Sequence, residues 1–106
     1  MNLVVFVGEI VETPKLRESS QGNVFATMTI QTHRPFANSE GVYESDEMSI
    51  TLWKGIAQTT AEVSSVGDKV AVKGRLQSRN FEGKDGMIHR AYDIIAENVT
   101  LLHKKE

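Results

Sequence analysis

The chain has 106 residues, of which 40% are hydrophobic and 25% charged, and its formal net charge is −2. These totals are typical of one globular domain with a single modest core. The absence of cysteine excludes disulfides and thiolate metal sites. No run reaches the roughly 18 apolar residues that a membrane span needs. The N-terminal stretch also lacks the basic leader and cleavage site of a signal peptide. We therefore expect a cytoplasmic protein without membrane contact.

Turn-forming segments at 19–23, 36–41 and 81–86 separate several β-rich runs. Residues 3–11 are nearly all aliphatic, which predicts a strand covered on both faces. Residues 24–33 and 48–53 alternate between apolar and polar side chains, as half-buried strands do. The alternation predicts the following inward side chains: Val24, Ala26, Met28, Ile30, Met48, Ile50 and Leu52.

Residues 55–65 suit a short helix, and extended segments follow at 70–81 and 87–102. The predicted order is three strands, one helix and two strands. This order is that of an all-β, five-stranded OB-fold barrel with one short helix between strands 3 and 4. We expect a single domain over residues 1–103 and a short basic stub, 104–106, that frays.

One predicted strand, VAVKGRLQSRNF at 70–81, places cations and an aromatic ring on the same face. Lys73, Arg75, Arg79 and Phe81 alternate with Val70, Val72 and Gly74, and we call these four residues the basic face. Residues 68–90 contain six Lys/Arg and three acids, a local balance of +3, whereas 38–49 contain four acids and no Lys or Arg. The basic face fits either a solvated sheet surface or a nucleic-acid track, and its lack of acids favours the track.

Four segments in register resemble the bacterial single-stranded DNA-binding proteins: VVFVGEIVETPKLR, FATMTIQTHRPF, ITLWKG and VKGRLQSRNFEGKDG. The resemblance covers residues 3–102. It implies an OB-fold that usually assembles as a homotetramer and holds single-stranded DNA without strong sequence preference. In such proteins bases stack on aromatic rings and phosphates follow a basic groove.

Carried over to this sequence, the resemblance implies three stacking rings, Phe36, Trp53 and Phe81. The cations it implies are Arg17, Arg34, Arg75 and Arg79, and we add Lys73 of the basic face and Lys84 of the turn that follows as further candidate DNA-binding cations. Each ring has a structural alternative, because Trp53 could belong to a core or interface, Phe81 could cap the barrel and Phe36 could pack back onto it. Phe25, which also alternates outward, is expected to meet a second subunit or the helix.

Two features depart from the family pattern. Glu47 stands where many members have another aromatic, so we expect weaker binding there. The family's glycine-rich tail and acidic C-terminal tip are missing, so we expect no recruitment of replication enzymes through such a tip.

The leading hypothesis is a non-catalytic protein that coats single-stranded DNA as a homo-oligomer, with a tetramer favoured and a dimer possible. It would act in replication, recombination or repair. The alternative is a dimeric adaptor like primosomal replication protein N, with weaker single-strand binding. An RNA-binding OB module ranks third, because no clustered aromatic RNA-binding motif is present. An enzyme is the least favoured reading. The histidines His33, His89 and His103 match no zinc spacing, no phosphate loop is present, and we predict no metal, cofactor or catalytic residue.

Overall fold

Five long strands close into a barrel in the computed structural model, which describes residues 1–105. The elements in chain order are β1 Val4–Glu12, β2 Arg17–Glu18, β3 Val24–Ala37, β4 Tyr43–Trp53, α1 Lys54–Val63, β5 Lys69–Glu82 and β6 Ile88–His103. The helix lies between the third and fourth long strands, as the sequence predicts, and the OB-fold is confirmed. The two-residue strand β2, which the sequence pattern did not indicate, pairs with the start of β3.

The first strand closes the barrel because it pairs on both edges. Residues 4–9 of β1 pair with β5, and residues 9–12 pair with β3. On the other side, β4 meets β6 in a short parallel ladder at Ile50 and Ile94. Gly8 lies where β1 crosses from one partner to the other, and a Cβ there would collide with the backbone carbonyl of Gln31. Each long strand therefore has two neighbours along part of its length, which leaves little unpaired edge in the barrel.

The core fills the barrel with the side chains that alternation predicts as inward. Ala26, Met28, Ile30, Ile50 and Leu52 are fully buried. Val24 and Met48 are only half-buried. The remaining buried residues of the cluster come from the other elements and are Ile10, Ala57, Val70, Val72 and Ala96.

One sequence prediction about β1 is wrong. The strand was expected to be covered on both faces, yet Val5 and Val7 are 61% and 54% exposed. Within residues 1–105 the helix contacts β3, β4 and β6, so no second layer covers the outer face of β1. An apolar surface remains there.

The helix begins one residue earlier than predicted and ends two residues earlier. Lys54, its first residue, has a left-handed φ of 54°, so the chain turns sharply after Trp53. The helix places Ala57 and Thr60 against the barrel. No helix among residues 1–105 is long and apolar enough to cross a membrane.

The basic stub is docked as far as Lys105, which corrects the expectation that it frays. The carboxylate of Asp68 is completely buried and accepts hydrogen bonds from Lys104 Nζ at 2.9 Å and Lys105 N at 3.0 Å. The backbone N–H of Ser65 donates to the same carboxylate at 2.8 Å. Glu106 lies outside the described residues.

Candidate nucleic-acid interface

A row of three side chains crosses the outer wall of the barrel on β2, β3 and β4. Arg17 lies directly opposite Phe25, and Phe25 lies directly opposite Trp53, so all three share the outer face. The two rings contact each other with centroids 5.2 Å apart and planes tilted by 35°. Trp53 is 37% exposed, which places it on the surface rather than in the core. We call Arg17, Phe25 and Trp53 the wall row.

An open groove runs from the wall row along the outer face of β3. Its lining combines the hydroxyl side chains of Thr27, Thr29 and Ser49 with two cations and one acid, which are Lys15, Arg17 and Glu12. Hydroxyl donors and cations on an open surface suit a polyanionic backbone, whereas the neighbouring rings suit flat bases. Further along the same face lies Glu47, opposite Gln31 and exposed. The carboxylate noted in the sequence therefore faces the same side as the groove.

The β3–β4 hairpin carries Phe36 and Arg34, and the two side chains differ in how freely they could contact a ligand. Phe36 is 80% exposed, so it does not pack back onto the barrel. Arg34 is held by two carboxylates, with Nη1 2.6 Å from Glu44 Oε2 and Nη2 2.7 Å from Asp46 Oδ1. The hydrogen bond from Arg34 is the main cause that lowers the pKa of Asp46. A phosphate at Arg34 would have to compete with both acids.

Beyond the barrel, β5 and β6 continue as a two-stranded projection over residues 76–93, which we call the hairpin arm. Neither β1 nor β4 pairs with it, because their ladders end at Gly74 and Ile94. Phe81 is 44% exposed near the end of the arm, so it does not cap the barrel. The Arg79 guanidinium lies 5.7 Å from the centre of the Phe81 ring. Opposite Phe81, the His89 ring is stacked at a centroid distance of 5.5 Å.

The basic face is less positive than its own strand indicates, because β6 supplies acids beside it. Arg79 Nε lies 2.9 Å from Asp93 Oδ2, and Arg75 Nη1 lies 3.8 Å from Glu97 Oε2. Lys73 is exposed opposite Asn98, and Lys84 is exposed in the turn of the arm. The predicted cations are thus all on the surface, but they differ in how much of their charge is free.

The structure brings the predicted residues together in two groups rather than one. Arg17 and Trp53 meet through Phe25 on the barrel wall, whereas Arg79 and Phe81 meet on the hairpin arm. Among the described residues, Phe36, Trp53 and Phe81 share no ring contact. Sequence reasoning missed the roles of Phe25 and His89 as ring neighbours. Only the pairing register between strands could have revealed them.

Comparison with known proteins agrees with this geometry. Residues 1–102 match the model of the single-strand binding protein family. The chain belongs to this family. It is 38% identical over its full length to single-stranded DNA-binding protein 3 of Listeria innocua and covers 66% of that protein. It is 36% identical over 99% of its length to the single-stranded DNA-binding protein of Oceanobacillus iheyensis and covers 65% of it. It is 34% identical over 98% of its length to single-stranded DNA-binding protein B of Bacillus subtilis and covers 92% of it.

The chain therefore spans slightly less than two thirds of the first two relatives and almost all of the third. The resemblance that the sequence motifs indicated is confirmed, and the family is a non-enzymatic DNA-binding family.

Proposed function

We propose that this member of the single-strand binding protein family binds single-stranded DNA on the wall row and the hairpin arm, without strong sequence preference and without catalysis. The observation that supports this most strongly is the wall row, where the contacting rings of Phe25 and Trp53 lie beside Arg17 on an open surface. Rings accept any base on their π-face, while cations neutralise phosphates. The proposed role is to protect or present single strands during replication, recombination or repair.

Each predicted side chain has a place in this proposal. Bases stack on Trp53, on Phe81 and on the exposed Phe36. Phosphates follow Arg17 and Lys15 along the groove, Lys73 and Arg75 on the barrel part of β5, and Arg79 and Lys84 along the arm. Arg34 contributes less than the other cations, because two carboxylates hold its guanidinium.

A fluorescence titration tests the proposal directly, because Trp53 is the only tryptophan in the sequence. Oligothymidine that stacks on Trp53 is expected to change its emission, and the apparent affinity is expected to fall steeply with salt. With a labelled oligonucleotide as reporter, Trp53→Ala is expected to cost about 1–3 kcal/mol of binding free energy, the contribution of one stacked base.

The matched control is Tyr92→Ala, which removes an exposed ring from the opposite face of the hairpin arm. Its affinity is expected to equal that of the wild type. Unchanged affinity of Trp53→Ala, or binding that ignores salt, would contradict the proposed site.

We further propose that the chain works as a homo-oligomer, with a tetramer favoured. The exposed apolar side chains of Val5 and Val7 on β1, and of Leu3 just before it, support this, since water-exposed aliphatic rows are typical of subunit contacts. Native mass spectrometry with and without oligothymidine measures the assembly. A tetramer that binds the oligonucleotide fits the proposal, and Val7→Lys is expected to weaken the assembly.

A second candidate function is a dimeric adaptor like primosomal replication protein N. The exposed carboxylate of Glu47 on the groove side favours it, because a negative charge there opposes DNA. A dimer with only weak oligothymidine binding in the same experiment would support the adaptor instead.

A further inference from the structure

The side chain of His89 is held in place on the hairpin arm by contacts on three sides. Its ring stacks on Phe81, directly opposite on the paired strand, with planes 30° apart. Its Nε2 lies 3.2 Å from Asp85 Oδ1 in the turn. Behind the ring is Gly83, and a Cβ there would approach His89 Cδ2 to 2.7 Å. The ring is therefore seated between Phe81, Asp85 and the backbone of Gly83.

Asp85 determines which imidazole nitrogen carries the proton when His89 is neutral. The backbone N–H of Met87, and next the His89 ring, hold the pKa of Asp85 below its ordinary value, so this carboxylate stays ionised at neutral pH. An ionised carboxylate only accepts hydrogen bonds. Neutral His89 must therefore keep its proton on Nε2 to donate to Asp85, which leaves an acceptor lone pair on Nδ1.

Protonation of His89 changes Nδ1 from a hydrogen-bond acceptor to a hydrogen-bond donor. In the imidazolium form both nitrogens donate, so Nε2 keeps its bond to Asp85 while Nδ1 becomes a donor. The hydrogen bonds of His89 within residues 1–105 use Nε2 alone, so Nδ1 is available to an incoming ligand. A phosphate oxygen would be repelled by the neutral ring and bound by the charged one.

We propose that His89 is a nucleic-acid contact residue, which binds a backbone phosphate next to the base stacked on Phe81 only when its imidazole is protonated. The proposal rests on the proposed function, because it requires single-stranded DNA at Phe81. Because the contact needs a charged imidazole, binding is expected to be tighter at acid pH, and this gain is expected to disappear as pH rises through the range in which histidine side chains ordinarily lose their charge.

The charged groups near His89 belong to the hairpin arm itself. Asp85 and Lys84 lie in its turn, Arg79 lies on β5, and Asp93 on β6 pairs with Arg79. Glu82 and Arg90 alternate to the opposite face. Within residues 1–105 the ladders of β1 and β4 stop before the arm. The groups named above are therefore the charged neighbours of His89 among these residues.

The test measures the affinity for labelled oligothymidine at about pH 5.5 and about pH 8, on either side of the histidine transition. Wild type is expected to bind about three- to tenfold more tightly at the acid pH, as one charge-assisted contact would give. Its plot of log affinity against log salt should also be steeper by about 0.7, the slope of one added phosphate contact on a single strand.

His89→Gln is expected to bind like wild type at about pH 8 and to lose the acid gain. Gly83→Ala keeps the histidine but displaces its ring, so it should lose most of the gain as well. The matched controls are His33→Gln and His103→Gln, which remove the other two histidines. Both variants should still bind oligothymidine more tightly at the acid pH.

An acid gain that persists in His89→Gln, or no gain in wild type, overturns this inference. Salt-dependent binding at about pH 8 would leave the proposed function standing in that case. Failure to bind oligothymidine at either pH overturns the proposed function and the inference together.

Discussion

Asp68 is the residue whose environment departs most from that of an ordinary surface carboxylate. It is completely buried and accepts backbone and side-chain hydrogen bonds from Ser65, Lys104 and Lys105. The N–H of Lys105 and then the Lys104 ammonium hold its pKa below the ordinary value of 3.8. Since the folded state favours the ionised form, this carboxylate stabilises the fold at neutral pH. The stabilisation is lost as pH falls below 3.8 and through the folded-state pKa.

Asp68→Asn is therefore expected to lower the thermal midpoint by several degrees at neutral pH and to flatten the acid dependence of stability. The amide keeps the shape of the side chain but removes the charge to which the Lys104 ammonium and the backbone N–H of Lys105 donate hydrogen bonds. Thermal unfolding followed by circular dichroism from neutral to acid pH measures both effects. Glu62→Gln, an exposed change on α1, serves as the control. An unchanged acid dependence in Asp68→Asn would show that Asp68 does not contribute in this way.

The paired strands β5 and β6 show how the charge of one strand is decided by its partner. Read along β5, Arg75 and Arg79 form an uninterrupted basic face. In the folded element, Glu97 and Asp93 of β6 lie beside them. The arm therefore attracts phosphates less strongly than the charge of β5 indicates, and its cations are oriented before any ligand arrives.

Asp93→Asn is expected to increase the affinity for oligothymidine about two- to fivefold at low salt, because it frees Arg79 from an exposed ion pair worth at most about 1 kcal/mol. The measurement is a salt titration of the variant beside wild type. Glu62→Gln removes one negative charge far from the arm and is expected to change affinity much less. If both variants gained equally, net charge rather than the Arg79 pair would explain the effect.

At the scale of single elements, the sequence predicts well which face of a strand is buried. It predicts poorly the register in which two strands pair. Alternation placed Ala26, Met28 and Ile30 inside because each strand presents one face to the barrel, and this requires only neighbouring residues. The position of Asp93 beside Arg79 depends on the pairing register of β5 and β6. This register shifts at irregularities near Lys69 and Gly74. The same reason explains why the Phe25–Trp53 and Phe81–His89 contacts were missed.

At the scale of the whole molecule, stability depends on closure of the barrel. Gly8 permits β1 to pass between β5 and β3, where any side chain would meet the backbone of Gln31. Backbone is less able to yield than the end of a flexible side chain. A residue larger than glycine at this point therefore strains the closure shared by all five long strands.

Gly8→Ala is expected to lower the free energy of unfolding by about 1–3 kcal/mol, the usual cost of overpacking. Urea unfolding followed by Trp53 fluorescence and by circular dichroism measures it. Gly55→Ala is the matched control, because nothing lies within 4 Å of a Cβ there. In the helix this change is expected to stabilise by up to about 1 kcal/mol. Equal stability of Gly8→Ala and wild type would contradict the proposed importance of close approach at Gly8.

The double pairing of β1 also has a consequence for the order of folding. Val4 pairs with Gly74, so during synthesis β1 finds one of its two partners only after about 70 further residues have been added. Contacts between residues so distant in sequence close slowly. During that interval the aliphatic side chains of β1 have no barrel to join. The nascent chain therefore passes through a state in which β1 is exposed to chaperones and to misassociation.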